Sequence, residues 1–371
     1  MSSPASSPAI YAARIDKVRA AMAERGVDVL AVSVGRDLPY LTGYEAMPLE
    51  RLTLLVLPRD GEATLLVPAL EAPRVVEQPG AFTVRPWVEG VDPIALAAEL
   101  VGPAATVAVG DQMWARFLVE LLPWLPAAKF TRAVGVVGPL RVTKDATEVA
   151  ALRAAAAAAD RAAAQLHAGE IALAGRTEAE VSAEISARLL AEGHDKVNFA
   201  IVASGPNAAS PHHHASSKVI ADGEIVLCDF GGTMNGYCSD ITRCVHLGEP
   251  PAEIAEAYAV LHAAQAAGVA AGVVGTRAEE VDRAARAPIA DAGYGEYFIH
   301  RTGHGIGMEE HEDPYIIEGN TQPLAAGHAY SVEPGIYIAG RWGMRLEDIV
   351  VAAEAGPDRL NHADHDLVVL G

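Results

Sequence analysis

Apolar positions along the first 141 residues recur with two alternating periods. Ile15, Val18 and Met22 fall on one face of a helix, and V-D-V-L-A-V-S at 27–33 follows as a buried strand. L-T-L-L-V-L-P and A-T-L-L-V-P read as two more strands around the turn R-D-G at 59–61. A helix from about Pro93 to Leu100, the strand T-V-A-V-G and a helix carrying Trp114, Leu118 and Leu121 continue the alternation. Strands interleaved with helices in this way predict an α/β domain over 1–141.

The stretch V-G-P-L-R-V-T-K-D at 137–145 reads as an apolar strand giving way to a helix entry, which places a domain boundary there and a second domain over 142–371. Alanine is the strongest helix former, so Asp145 to about Ala168 is predicted as one long helix. Two capping boxes follow, Thr177 with Glu180 and Thr276 with Glu279, each after an Ala-rich helix and ahead of strands. The order helix, helix, strands, repeated, predicts two related halves joined about Gly248 to Pro251.

Each half carries a carboxylate pair. In the first, E-I-V-L-C-D-F-G-G holds Asp229 and Y-C-S-D-I-T-R-C-V holds Asp240, with Asn235-Gly236 between them as a hairpin signal. A loop centred near Met234 and Asn235 brings the two aspartates close to opposite one another. In the second half Glu333 and Glu347 are equidistant from Gly340 in the turn G-R-W-G. Like charges directly opposite destabilise a sheet, and burying carboxylates without compensation is costly, so four of them in apolar strands ask for cations.

The stretch from Ile299 to Glu312, I-H-R-T-G-H-G-I-G-M-E-E-H-E, has neither period and packs three histidines and three glycines together. It reads as a loop shaped around the site, with His300, His304 and His311 available as ligands or as acid–base groups. Four carboxylates and one imidazole are too many ligands for one catalytic zinc and suit two hard divalent ions.

Composition narrows the function by exclusion. A formal charge of -20 without a basic run argues against nucleic acid. No apolar run reaches membrane-spanning length, the Ala-rich 150–164 being broken by Arg153, Asp160 and Arg161. The first ten residues lack a basic start and apolar core, so they are expected to be a frayed tail, not a secretory signal. Cys228, Cys238 and Cys244 have no metal-finger spacing, read as plain strand residues, and fit a reducing cytoplasm.

The ordered set C-D-F-G-G, S-D-I-T-R, H-R-T-G-H-G-I-G, V-E-P-G and R-L-E-D resembles the pita-bread metallopeptidases of the prolidase and aminopeptidase P type, and the resemblance covers nearly the whole chain. It implies an α+β protein, a creatinase-type α/β N-terminal domain followed by a duplicated pita-bread catalytic domain. It further implies that Asp229, Asp240, His304, Glu333 and Glu347 ligate two divalent metal ions, with Asp240 and Glu347 bridging. The carboxylate-rich set favours Mn2+, with Co2+ or Zn2+ as alternatives. His212, in S-P-H-H-H, matches a histidine that contacts substrate and the tetrahedral intermediate, and His311 matches its partner. His300 matches a pocket histidine, while Tyr337 and Arg345 match residues that hold ligand carboxylates, Arg345 being also a candidate for substrate binding. His213 and His214 are expected as solvated loop residues, and His167, His194, His246, His262, His328, His362 and His365 as structural or surface groups.

The implied activity is hydrolysis of the imide bond of Xaa-Pro dipeptides through a metal-bridging hydroxide. Glu333 would orient the nucleophile and handle its proton, and His212 or His311 would stabilise the oxyanion. The alternatives are an Xaa-Pro aminopeptidase acting on longer peptides, a methionine aminopeptidase, or a non-catalytic or metal-free creatinase-like relative. Some prolidases carry an arginine shortly after the histidine matching His311, where this chain has Tyr315. Recognition of a substrate carboxylate then falls to Arg301, Arg345 or an arginine of a partner subunit, or length selectivity loosens. The resemblance also implies a homodimer in which the N-terminal domain of one subunit borders the site of the other.

Overall fold

Ile15, Val18 and Met22 form the buried stripe of α1 (Pro8–Arg25), on one face of the helix as their spacing predicts. The computed structural model describes residues 8–371; of the expected tail, Pro8 to Ile10 belong to α1 and residues 1–7 lie outside the described part. Contacts divide the chain into two units, Met1–Arg141 and Val142–Gly371.

The first unit is built on a six-stranded sheet of β1 (Val29–Val32), β2 (Leu54–Pro58), β3 (Thr64–Pro68), β4 (Thr83–Trp87), β5 (Thr106–Val109) and β6 (Lys129–Arg132), in the order β4-β3-β2-β1-β5-β6. β1 with β2, joined through α2 (Asp37–Thr42), and β2 with β3, joined by a hairpin, are antiparallel, and the other three pairs are parallel. The helices that follow are α3 (Pro93–Val101) and α4 (Ala115–Leu121). Asp92 caps α3 by accepting from the amides of Ile94 and Ala95, and Pro93 takes the first helical position, where no amide is needed. Ile94, Ala97, Phe117 and Leu121 then pack on Val29, Ala31, Leu54 and Val107.

One expectation fails at the boundary. Residues 134–142 form a helix, α5 (Val134–Val142), in place of a strand. Ala133, Val136 and Val137 are buried while Val134 and Gly135 face out, which is helical spacing; a short apolar run does not by itself distinguish the two states.

In the second unit Asp145 caps α6 (Ala146–His167), and Glu148 reaches back to the Asp145 amide. The helix α7 (Glu178–Ala191) precedes β7 (Lys196–Ser204), β8 (Ile225–Met234), β9 (Tyr237–Cys238) and β10 (Ile241–Leu247). After 248–251 the pattern returns as α8 (Ala252–Ala271) and α9 (Ala278–Asp291), then β11 (Gly303–Gly305), β12 (Glu312–Ile316) and β13 (Ala329–Val332). The chain continues through β14 (Gly335–Ile338), β15 (Trp342–Arg345), β16 (Asp348–Val351), β17 (Asp358–Arg359) and β18 (Val368–Leu370). One sheet runs β18-β10-β8-β7 with β9 on β8, a second runs β12-β11-β13-β16-β17, and β14 pairs with β15.

The halves repeat in backbone detail. Gly175 donates to the Ile220 carbonyl as Gly275 does to Leu324, and the Glu178 amide to Lys218 as the Ala278 amide to Gln322. The second capping box is nevertheless displaced by one residue from its expected place. Arg277 stands at the N-cap and its amide donates to Glu280, because Thr276 is held outside the helix by the Leu324 amide.

Of the two hairpins, only the first departs from its expected register, again by one position. Asn235 and Gly236 both have positive φ, +52° and +83°, which is the primed two-residue turn, so the loop is centred between them. Asp229 therefore faces Thr242 across the ladder, and Asp240 lies two residues further on. In the second half Ile338 faces Trp342 and Val332 faces Asp348, a register symmetric about Gly340 as expected. Glu333 and Glu347 fall in the gap where the ladder is interrupted. Among the described residues no helix is long and apolar enough to cross a membrane.

Candidate metal centre

His304 does not stand on a loop. It is the middle residue of β11, which lies between β12 and β13. A Cβ at Gly303 would sit 1.9 Å from the Ser331 carbonyl oxygen, and one at Gly305 would sit 2.1 Å from that of Asp313. The flanking glycines are thus required for neighbouring backbone to close in, and they leave His304 as the side chain of this short strand. Its Nδ1 faces the Gly305 carbonyl at 3.2 Å and must donate there, so Nε2 carries the lone pair. That lone pair points at carboxylates, Glu333 Oε1 at 3.2 Å and Asp240 Oδ2 at 3.7 Å.

Thr242 joins the halves. It pairs with Asp229 in the ladder, makes an isolated bridge with Glu347, and donates its hydroxyl to Glu347 Oε2 at 2.6 Å. Arg345, buried from the return strand β15, donates Nε to the same hydroxyl at 3.0 Å and Nη2 to Asp229 Oδ2 at 2.5 Å. Its Nη1 reaches the Tyr337 hydroxyl at 2.9 Å and the Pro211 carbonyl at 3.4 Å. Every nitrogen of Arg345 is engaged. Tyr337, accepting from Arg345, donates to His300 Nε2 at 2.9 Å, which turns His300 Nδ1 toward the Arg301 carbonyl at 2.7 Å. Ser331 donates to Glu333 Oε1 at 3.0 Å.

Burial pushes the carboxyl of Asp240 well up, helped by Glu347, Asp229 and Glu333, and it pushes Glu347 well up with help from Glu333 and Asp229. Glu333 is pushed up to about 7, again by burial first. His304 is held well below its ordinary value by burial and by His311, and His300 goes down to about 3 through burial and Arg345. Buried acids are thus crowded around a neutral imidazole.

The donor set fits divalent cations. Single oxygen or nitrogen atoms of Asp240, His304 and Glu347 lie within 4.8 Å of one another. Asp229 Oδ1 and Asp240 Oδ1 are buried without a hydrogen-bond partner. Buried acceptors left unpaired beside a lone pair are what a cation would satisfy.

The histidines expected around this centre are placed unequally. His311 lies against His304 with ring centroids 3.9 Å apart and the rings tilted by 49°. Packed on that side and open on the other, it is shifted down by desolvation first, then by Arg301 and His212. His212 is exposed, and its charge bears on both His300 and His311. Arg301 stacks its guanidinium 4.4 Å from the centre of the Tyr315 ring. His213 departs from expectation: its Nε2 lies 2.8 Å from the buried Glu178 carboxylate, so it is no solvated loop residue. Sequence reasoning also passed over Thr242, Ser331 and the fully buried Arg243, which donates to the Glu347 carbonyl at 2.7 Å and to Asp348 at 2.8 Å. Charged or hydroxyl residues beside the ligand candidates in otherwise apolar strands were the available signal.

Comparison with known proteins agrees with this geometry. Residues 150–354 match metallopeptidase family M24, and residues 14–143 match the creatinase/prolidase N-terminal domain. The probable dipeptidase PepE of Mycobacterium bovis is 44% identical over 97% of both chains. An Xaa-Pro dipeptidase of Lactobacillus delbrueckii is 36% identical over 96% of this chain and 98% of its own. The crystal structure of dipeptidase PepE from Mycobacterium ulcerans superposes with a TM-score of 0.91, at 46% identity and 98% coverage of each chain. The chain belongs to metallopeptidase family M24, as a dipeptidase- or prolidase-type enzyme with a creatinase N-terminal domain and a pita-bread catalytic domain, a family that implies a divalent metal.

Proposed function

We propose that this chain hydrolyses the bond preceding proline in short peptides, Xaa-Pro dipeptides foremost, with two divalent ions held by Asp229, Asp240, His304, Glu333 and Glu347. The observation that carries this reading is the cluster of Asp240, His304 and Glu347 with two unpaired buried carboxylate oxygens beside it. Divalent ions bound there would polarise the scissile carbonyl and make water a usable nucleophile near neutral pH.

The chain's own groups do the rest. Glu333 Oε1, steadied by the Ser331 hydroxyl, is the atom that orients the attacking water and takes its proton. His212 and His311 donate to the oxygen that gains charge as the carbonyl becomes tetrahedral. Arg345 and Tyr337 hold Asp229 and His300 in place, and the engaged nitrogens of Arg345 leave substrate recognition to others. In this reading Arg301 meets the free carboxylate of a dipeptide, with Tyr315 beneath it. Residues 1–141 then form the creatinase-like domain and 142–371 the catalytic one. The same reading carries Mn2+ as the metal, a homodimer and a reducing cytoplasm.

The test is a matched panel of Xaa-Pro dipeptides, Xaa-Pro-Xaa tripeptides and Xaa-Ala dipeptides, assayed after chelation and again after Mn2+ is restored. Metal-dependent cleavage, strongest on Xaa-Pro, is expected. Equal rates on Xaa-Ala would overturn the proline requirement, and equal rates after chelation with metal absence verified would overturn the metal mechanism. The tyrosine at position 315 favours one alternative, an aminopeptidase acting on longer peptides; a clear preference for tripeptides would select it.

A further inference from the structure

The carboxylate of Glu178 is completely buried at the start of α7, yet no residue of the metal centre touches it. It accepts from the amide and hydroxyl of Ser204 at 2.9 Å each, and from the hydroxyl of Ser216 at 2.7 Å. Asn207 Nδ2 reaches both of its oxygens at 3.1 Å, and His213 Nε2 lies at 2.8 Å. Burial pushes this carboxyl up, but Ser216, His213, Ser204 and Asn207 outweigh it and hold the pKa down at about 2. It is an anion gathering donors from the end of β7 and the loop that follows it, 204–216.

That loop is the one that carries His212. His213 closes a turn, its amide donating to the Ser210 carbonyl at 3.1 Å, so drawing the His213 ring inward fixes the position just before it, where His212 is exposed and close enough to act on His300 and His311. The other end is tied to the metal centre, since Arg345 donates to the Pro211 carbonyl.

The duplicated fold supplies an internal control. Ala278 occupies the position in the second half that Glu178 occupies in the first: both amides bond to the following segment in the same way. Ala278 is equally buried and carries no polar group. The packing of this helix start therefore does not call for a carboxylate, and what the first half has in addition is the histidine loop.

We propose that Glu178 and His213 form a clamp that fixes the 211–216 backbone and so aims the His212 ring at the substrate. Both are positioning residues, and the proposal rests on the reading of His212 given above.

Two measurements test it on the full-length, Mn2+-loaded protein. Amide hydrogen exchange reads the loop without reference to the reaction. His213→Phe keeps a ring and removes the donor, so exchange across 211–216 should speed up by roughly tenfold or more, while His213→Gln, which keeps an N–H donor, should stay near wild type. Unchanged exchange in His213→Phe overturns the clamp. In the second measurement, kcat and KM are determined for His212→Ala, His213→Phe and the double variant, with metal content and melting temperature alongside. His213→Phe should lower kcat by about tenfold with metal content unaltered, and the double variant should fall no further than His212→Ala alone. Multiplying effects overturn the aiming role, as does a His212→Ala variant with wild-type kinetics. If the wild type cleaves no Xaa-Pro peptide but the exchange result holds, the clamp stands and the assigned reaction falls.

Discussion

Thr242 donates its hydroxyl to Glu347 across the seam between the two halves, at 2.6 Å, while facing Asp229 in its own ladder. The same oxygen accepts from Arg345, which holds Asp229. One hydroxyl thus ties together carboxylates that the chain supplies more than a hundred residues apart. Thr242→Val keeps the shape and deletes the oxygen, leaving a buried donor and a buried acceptor unpaired. The expected cost is about 1–3 kcal/mol, read from urea unfolding of the metal-free protein. Mn2+ affinity by calorimetry should drop about 10- to 100-fold, as for other groups that orient metal ligands. Undiminished affinity would show that Glu347 is placed without this hydroxyl.

Crowded acids make the metal-free protein a special case. Burial and mutual repulsion raise Asp240 and Glu347 well above the ordinary range, so a cation should relieve the repulsion and raise the melting temperature. At a free concentration about a hundred times Kd the gain is about 2.7 kcal/mol per site. Glu347→Gln removes one of the repelling charges. We expect it to melt higher than wild type after chelation, to lose most of the Mn2+-induced rise, and to lose hydrolytic activity. A variant that still gains the full rise would show that Glu347 is not a ligand.

The sequence made the carboxylates legible because acidic residues inside apolar strands are costly and stand out. It made the duplication legible because Ala-rich helices and capping boxes recur. What it could not supply was registry to one residue. Centring the first hairpin one position early misplaced Asp240 by two residues, and a box at Thr276 was pre-empted by the Leu324 amide, a contact 48 positions away in the chain. His213 was misread for a related reason. Its partner Glu178 is the first residue of a distant helix and nothing local marks the pair. The 134–142 segment failed because its apolar run suits either period and only its neighbours decide.

His167, His328 and Glu178 each make the fold lose stability in acid, in two stages. Burial holds His167 and His328 down at about 4, so between pH 6.5 and 4 the unfolded chain binds protons that the folded chain does not. Stability contributed by these groups is present above pH 6.5 and is lost as pH falls through that window. Glu178, held down at about 2, adds a second loss as pH falls below about 4.5. In the chelator-treated protein the raised carboxyls of Asp240, Glu333 and Glu347 act the other way as pH falls, so the histidine contribution is read as the difference in urea midpoint between a variant and wild type at pH 7, 5.5 and 4.5. His328→Asn keeps an acceptor for the Ala325 amide and cannot charge, so its midpoint should rise relative to wild type as pH falls from 6.5 to 4. An unchanged difference would show that His328 is not one of the groups responsible.

The line between dipeptidase and aminopeptidase turns on a positive charge. A strict dipeptidase must recognise a free carboxylate, for which a guanidinium is the best partner. Arg345 is committed to Asp229, Thr242 and Tyr337, whereas Arg301 lies 4.4 Å over the Tyr315 ring, the position where some prolidases have arginine. Arg301→Ala should therefore raise KM for Xaa-Pro dipeptides by about tenfold or more and change kcat less, since the carboxylate contact exists in ground and transition states alike. Tripeptides, whose carboxylate lies one residue further on, should be affected less. Tyr315→Phe keeps the ring under Arg301 and should leave both substrates near wild type. Tyr315→Arg adds a second guanidinium at that place, and the ratio of kcat/KM for Xaa-Pro over Xaa-Pro-Xaa should rise, mainly through KM. If Arg301→Ala binds dipeptides as well as wild type does, the carboxylate is met elsewhere, and the ratio in Tyr315→Arg then measures a new contact only.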